Sequence, residues 1–399
     1  MNIVLKSGCR VFQTVLRAAI PVLPYRAPKV LERVADVPAL LREQKIGRVL
    51  IVTDGFLHLS GKLEPLKQIL MEEGIGFSVY DEVVPNPTVL NVELARERYV
   101  KEGCEGLIGF GGGSAIDCAK AVGARIARPR TDIRRMEGIL RVLMPIPYLI
   151  AVPTTAGTGS ETTLATVITD EKTGHKFPVN DFPLIPKAAV LDPEMTRSLP
   201  AHLTATTGMD ALTHAVEAYI GRSTTADTRA DALDAAKLIA ENLERAYRDG
   251  DDMEARRNML QAAYLAGRAF SKSYVGYCHA VAHSLGGRYH IAHGLANAVL
   301  LPYVLEGYGE TVHAKCRDIA VAMGLADSNT PDATACRLLI ARIRQMNAAM
   351  GIPTKLPGIW RKDIPELAAA AAHEANPLYP VPKLMDAKEL ERFYYDVMG

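Results

Sequence analysis

Leu107-Ile108-Gly109-Phe110-Gly111-Gly112-Gly113-Ser114-Ala115-Ile116-Asp117 decides the fold. An apolar run of strand length enters three consecutive glycines and leaves them in a helix-forming segment. The stretch therefore reads as strand, tight turn and helix. Consecutive glycines let a backbone approach a ligand closely. The free N–H groups at the helix start, together with the helix dipole, favour a phosphate there. The pattern is neither G-x-G-x-x-G nor a P-loop, because no Gly-Lys-Ser/Thr follows. A plain strand-to-helix turn would account for it equally well, so the surrounding segments carry the argument.

Outward from this stretch, strands and helices alternate. Arg48 to Asp54 reads as a buried strand ending in an acid, residues 60–73 as a helix, and Gly76 to Tyr80 as the next strand. The prolines of Val84-Pro85-Asn86-Pro87-Thr88 hold their neighbours extended and mark a loop before a helix over 90–102. Tyr148 to Val152 and Ala188 to Asp192 complete the strand-like runs. Such alternation calls for a mostly parallel sheet covered by helices. From about residue 198 the pattern turns helical, with Ala, Leu, Glu and Arg dominating 223–272. The chain is expected to divide into an α/β domain over 1–197, in which 1–44 form a divergent arm, and an all-helical domain over 198–399.

Composition narrows the function. The 399 residues are 48% hydrophobic and 23% charged, enough to bury a large core and to exclude disorder as the main state. Forty-six basic residues against forty-five acidic ones leave a net charge of +1, which removes the electrostatic basis for a general nucleic-acid binder. No apolar run reaches the roughly 18 residues of a membrane span. The six cysteines form neither CxxC nor zinc-finger spacings and read as the reduced thiols of a cytoplasmic enzyme. Lys6 and Arg10 precede an apolar run that Arg17 breaks, with no small-residue cleavage site after it. The reading there is a structural arm rather than a signal peptide.

A second polar loop, Pro153-Thr154-Thr155-Ala156-Gly157-Thr158-Gly159-Ser160-Glu161, also follows a strand. Small hydroxyl residues with glycines suit hydrogen bonds to a ribose or pyrophosphate, although they could equally cap the next helix. Two such loops at strand carboxyl ends point to a nucleotide, which open α/β sheets bind at that edge. Asp54 ends the first strong strand, where an acid can bond a ribose hydroxyl and repel a 2′-phosphate; a turn aspartate is the simpler alternative.

The helical half concentrates imidazoles. His279 and His283 stand at i and i+4 in Cys278-His279-Ala280-Val281-Ala282-His283, with His290 and His293 just beyond. Upstream, Asp210 and His214 repeat the i, i+4 spacing. Both segments are otherwise apolar, so these groups face inward and need partners, which a divalent metal supplies together. One Asp with several neutral His suits Fe²⁺ or Zn²⁺. Spacing does not choose the ligands among His279, His283 and His293.

Together these segments resemble the iron-containing (group III) alcohol dehydrogenase family. The matching stretches are Gly111 to Lys120, Pro153 to Glu161, Gly208 to Tyr219 and His279 to Ala298, within a likeness covering about residues 45 to 397. The resemblance implies a Rossmann-like N-terminal domain, an all-helical C-terminal domain and an active site in the cleft between them. It implies Asp210, His214, His279 and His293 as metal ligands, with His283 beside them as a proton relay. Gly112, Gly113 and Ser114 would meet a pyrophosphate, and Thr154, Thr158 and Thr163 the nicotinamide side. Asn86 matches a loop asparagine, Lys176 a lysine that reaches the ribose, and Asp54 the acid that favours NAD. The family's usual N-terminal strand is not recognisable, and Ala292 stands where proline often precedes His-Gly.

The function this implies is hydride transfer between a small primary alcohol or diol and NAD(H), dependent on Fe²⁺ or Zn²⁺, in a homodimer or higher homo-oligomer. A hydroxyacid–oxoacid transhydrogenase and a glycerol-type dehydrogenase are the alternatives within the same superfamily. A metal-dependent hydrolase would leave the glycine loop unexplained.

Overall fold

Strands and helices alternate through the first half of the chain, as the apolar runs require. A computed structural model describes residues 3–19 and 23–399. The strands are β1 (Lys29–Leu31), β2 (Arg48–Val52), β3 (Gly76–Tyr80), β4 (Gly106–Gly111), β5 (Gly138–Ile139), β6 (Tyr148–Pro153), β7 (Ala165–Thr169), β8 (Lys176–Asn180) and β9 (Ala188–Val190). The accompanying helices are α1 (Ile3–Ala19), α2 (Val37–Glu43), α3 (Gly55–Leu59), α4 (Glu64–Glu72), α5 (Val89–Lys101) and α6 (Gly113–Ala127). Six strands form a parallel sheet in the order β1-β9-β6-β4-β2-β3. A second sheet, β5-β8-β7, contains an antiparallel β7–β8 pair that the sequence reading did not identify.

Successive side chains of a strand point to opposite faces, so each central strand feeds two cores. Leu50, Val52, Leu107 and Leu149 pack with Val92, Ala119 and Val122 of α5 and α6. Val49, Ile51, Ile108 and Ile150 pack with Leu40, Leu41, Leu66 and Leu70 of α2 and α4. Burial on both faces explains the continuous apolar runs. The helix expected over 60–73 is α4, which begins only at Glu64, and a short α3 precedes it. A turn at Gly61 separates them, and Pro65 sits in the first turn of α4, where its missing N–H costs nothing. The proline loop ends in a capping box, in which Thr88 and Asn91 satisfy each other's amides at the start of α5.

From Ala201 onward helices carry the chain. They are α7 (Ala201–Ile220), α8 (Ala226–Arg248), α9 (Met253–Ser273), α10 (Tyr277–Tyr289), α11 (His293–Tyr308), α12 (His313–Ala322), α13 (Asp332–Ala349), α14 (Ile364–Ala375) and α15 (Ala387–Val397). The chain separates into Pro24–Leu199 and a helical unit that begins at Pro200 and also takes in α1. The N-terminal residues thus differ from the expectation that grouped 1–44 with the α/β domain. The Arg10 guanidinium donates to Val381 O at 2.7 Å and Pro382 O at 2.9 Å. The buried Gln13 amide donates to Pro377 O at 3.2 Å and Tyr379 O at 2.7 Å. These acceptors lie hundreds of residues away, so no local pattern announces them. β1, from the same stretch, does join the sheet, beside β9. Among the described residues no helix is long and apolar enough to cross a membrane.

A buried lysine ties α6 to the second sheet. Lys120 Nζ donates to Thr163 O at 3.0 Å, Thr163 Oγ1 at 2.8 Å and Ala165 O at 2.8 Å. Burial pushes its pKa down to about 8, against the pull of Asp117 and Glu161. Lys120→Met would take the amine donor from the buried Thr163 carbonyl and from Ala165 O. We expect a loss of about 2–4 kcal/mol, read as a lower urea midpoint at unchanged slope.

Candidate functional site

Asp210 and His214 stand four residues apart on α7 and leave the same helical face. His279 lies in the first turn of α10, and His293 opens α11. The structure brings these four together, with one ligand-type atom of each within 4.8 Å of the others. Asp210, His214 and His279 are buried and His293 is half-buried. The His214 and His279 rings stack with centroids 4.4 Å apart, and Phe270 covers the His214 ring at 4.1 Å. Burial, reinforced by the imidazoles of His214, His293 and His283, holds His279 well below the usual imidazole range. The ring therefore stays neutral and keeps a lone pair. Its Nε2 is buried, makes no hydrogen bond and lies 3.8 Å from Asp210 Oδ1. A buried polar atom left in that state costs about 1–3 kcal/mol. Three imidazoles and a carboxylate are a donor set for a divalent transition metal, and the orphaned Nε2 is the atom such an ion would satisfy. The residues present fit the group.

His283 is not among the four. Its Nδ1 lies 2.7 Å from Glu374 Oε1, which also accepts from the Tyr379 hydroxyl at 2.7 Å. Its ring stacks on His293 at 5.1 Å. His290 takes the left-handed conformation that ends α10 and is likewise outside the cluster. Ala292, with φ −58°, caps α11 in a conformation that proline shares.

Three polar partners went unnoticed in the sequence. Asn297 donates its amide to Asp210 Oδ1 at 2.7 Å and lies 3.1 Å from His293 Nε2. Glu217 Oε2 lies 2.6 Å from His279 Nδ1; burial pushes its carboxyl up to about 7, opposed by the Gly276 and Cys278 amides. Glu374 is the partner of His283. One signal was available for Glu217: at i+7 from Asp210 it continues the face that carries His214.

In the α/β unit the glycine turn lies at the carboxyl end of β4. Gly112 caps α6 without a side chain, leaving the first amides of the helix open. Gly113 lies against the second loop, where a Cβ would come within 2.9 Å of Thr158 Cγ2. The Thr154 amide donates to Gly111 O at 3.0 Å, so the two loops form one surface. Ser114 Oγ accepts from the Asn86 amide at 3.3 Å, and Asn86 Oδ1 accepts from Lys176 Nζ at 2.7 Å. Asn86, Ser114 and Lys176 are thus gathered at the α6 N-terminus from three separate segments. Asp54 lies two residues beyond the end of β2, not at its last position, and caps α3, with Oδ1 accepting from the Leu57 amide at 3.0 Å. Thr158 is half-buried, whereas the Thr163 hydroxyl is buried and committed to Lys120. Thr163 therefore braces the loop from behind.

Residues 31–193 match the family model of the iron-containing alcohol dehydrogenases, and residues 204–398 match that of the C-terminal region of the same family. The chain belongs to the iron-containing alcohol dehydrogenase family. As a member it is an alcohol oxidoreductase of the iron-containing type. A 1,3-propanediol dehydrogenase of Citrobacter freundii is 38% identical over 379 residues, 94% of this chain and 97% of that protein. An NAD-dependent methanol dehydrogenase of Bacillus methanolicus is 37% identical over 343 residues, 86% of this chain and 90% of that one. A crystal structure of a 1,3-propanediol oxidoreductase has a TM-score of 0.90 at 35% identity, covering 94% of this chain and 99% of that chain.

The threonine loop of this dehydrogenase contains one acid with a measurable consequence. Glu161 is buried, and burial pushes its carboxyl from the ordinary 4.5 up to about 7. The folded state then holds a proton that the unfolded state has released, so stability falls as pH rises from 4.5 to about 7. Glu161→Gln should remove that decline. Relative to the parent, the variant gains denaturant resistance between about pH 5 and about pH 8. Parallel pH profiles of the two unfolding midpoints would contradict it.

Proposed function

We propose that this chain interconverts a small primary alcohol or diol and its aldehyde, using NAD(H) and Fe²⁺ held by Asp210, His214, His279 and His293. The carrying observation is the convergence of those four donors within 4.8 Å, with His279 Nε2 buried and unsatisfied. The substrate class is supported by relatives at 38% and 37% identity that are named for 1,3-propanediol and methanol. When bound, the ion supplies Lewis acidity toward the alcohol or carbonyl oxygen, and the nicotinamide supplies the hydride acceptor or donor.

The chain's own groups do the rest. Gly112, Gly113 and Ser114 present the first amides of α6 to a pyrophosphate, where the dipole favours negative charge. Lys176, already bonded to Asn86, reaches a ribose hydroxyl. Asp54 accepts from the adenosine ribose and repels a 2′-phosphate, which favours NAD over NADP. Thr154 and Thr158 line the nicotinamide side, and Thr163 acts through Lys120. His283 keeps a proton on Nδ1 against the Glu374 carboxylate, so Nε2 is the atom that accepts the proton released by the alcohol.

Protein loaded anaerobically with Fe²⁺ should consume NADH with short aldehydes, whereas chelated protein should not. Loading with Zn²⁺ in parallel separates the two candidate ions. Asp210→Ala should lose bound metal, and its kcat/KM should fall by at least about 100-fold, beyond the range seen for outer-sphere changes. Full turnover in metal-free Asp210→Ala protein would sink the assignment.

Cofactor choice has its own test. Asp54→Gly should cut the preference for NADH over NADPH by about 10-fold, equivalent to about 1.4 kcal/mol. Glycine is a tolerable helix cap, so unfolding should shift by only a few tenths of a kcal/mol. An unchanged preference would reduce Asp54 to its capping role.

A further inference from the structure

Glu217 is a fully enclosed acid on α7, one turn beyond His214. Its carboxyl group meets two backbone N–H groups and one imidazole nitrogen. Oε1 accepts from the Cys278 amide at 2.8 Å. Oε2 accepts from the Gly276 amide at 2.8 Å and lies 2.6 Å from His279 Nδ1. Two of these partners are backbone amides at the start of α10, and the third is the His279 ring, whose other nitrogen is buried without a hydrogen bond. Local backbone is shaped for this contact. A Cβ on Gly276 would come within 2.6 Å of Glu217 Oε1, so only glycine admits the carboxylate. Two residues earlier, Tyr274 holds φ 62° and ψ −179°, a region that costs a non-glycine residue about 1–3 kcal/mol.

Both oxygens of the Glu217 carboxyl group already serve as acceptors for backbone N–H groups, and the same acceptor role toward His279 at 2.6 Å puts the imidazole proton on Nδ1. The lone pair is thereby placed on Nε2, the buried atom facing Asp210. The same carboxylate caps α10 from α7, which fixes the helix carrying His279 against the helix carrying Asp210 and His214. We infer that Glu217 is the positioning residue of the metal centre: it selects the His279 tautomer that presents Nε2 to the ion and holds the two ligand-bearing helices in register. The inference rests on the ligand set proposed above.

Two measurements on the full-length chain test it. In metal-free protein labelled with ¹⁵N-histidine, with the resonance assigned by its absence in His279→Gln, His279 should be the Nδ1–H tautomer. An Nε2–H tautomer overturns the inference. Glu217→Gln can no longer accept all three N–H groups. Its affinity for Co²⁺, titrated against a competing chelator, should weaken by about 10–100-fold, the range for lost outer partners of ligating histidines. The visible Co²⁺ spectrum should change as well, while near-ultraviolet circular dichroism stays native. Affinity within about twofold of the parent, with the spectrum unaltered, overturns the inference. If Glu217→Gln does not fold, the tautomer in the parent protein decides alone. Asp210→Ala separates the two levels: retained Co²⁺ binding there would bring down the ligand set itself, whereas its loss beside an unaffected Glu217→Gln would bring down only the role of Glu217.

Discussion

Burying the Asp210 carboxylate beside three imidazoles is unfavourable unless each lone pair and each N–H is met, and much of the helical unit is arranged around that requirement. Asn297 supplies an N–H to Asp210. Glu217 bonds Nδ1 of His279, and Phe270 covers the flat face of His214. Nε2 of His279 stays unmet, at the place where the four donors converge. The polar partners come from α7 and α11, which bear ligands themselves, and each bonds a ligand on another ligand-bearing helix, so these helices hold one another. A site assembled this way is stiff before any ion arrives, which lowers the cost of ordering it on binding.

The α/β unit solves a related problem with different groups. Irregular loops at the ends of β4 and β6 leave backbone carbonyls that no strand partner reaches. Lys120, buried and depressed to about 8, donates to one of them, Thr163 O, as well as to the Thr163 hydroxyl and to Ala165 O at the start of β7. Asp117 accepts from the Ser160 hydroxyl at 2.6 Å and from the Val167 amide at 2.9 Å, which fixes the other side of the same loop. The open amides of α6 are thereby held in place by residues that need not touch a ligand. This explains why Thr163, at first sight a cofactor contact, faces the scaffold.

Some elements were legible in the sequence and others were not, for physical reasons. β2, β3, β4 and β6 appeared because parallel strands with helices on both faces read as unbroken apolar runs. β7 and β8 alternate buried with exposed or half-buried positions, and Pro178 interrupts the second, so neither has that signature. β1 is three residues long and largely exposed. The helix expected over 60–73 starts later, at Glu64, because the chain turns at Gly61 before it. α1 was placed with the wrong neighbours because its anchors, Arg10 and Gln13, bond to carbonyls around residue 380.

The sequence by itself determined what depends on neighbours along the chain. The i, i+4 spacing puts Asp210 with His214, and His279 with His283, on single helical faces, and the glycines after β4 permit a close backbone turn whatever the rest of the molecule does. Only the tertiary structure decided which imidazoles converge. His279 and His283 are equivalent by spacing, yet Glu217 draws one into the cluster and Glu374 holds the other beside it. Likewise Asn86, Ser114 and Lys176 lie in different segments until the sheet brings their loops together. Ligand choice turns on distances of a few ångströms between helices far apart in sequence, and packing of the whole core sets those distances.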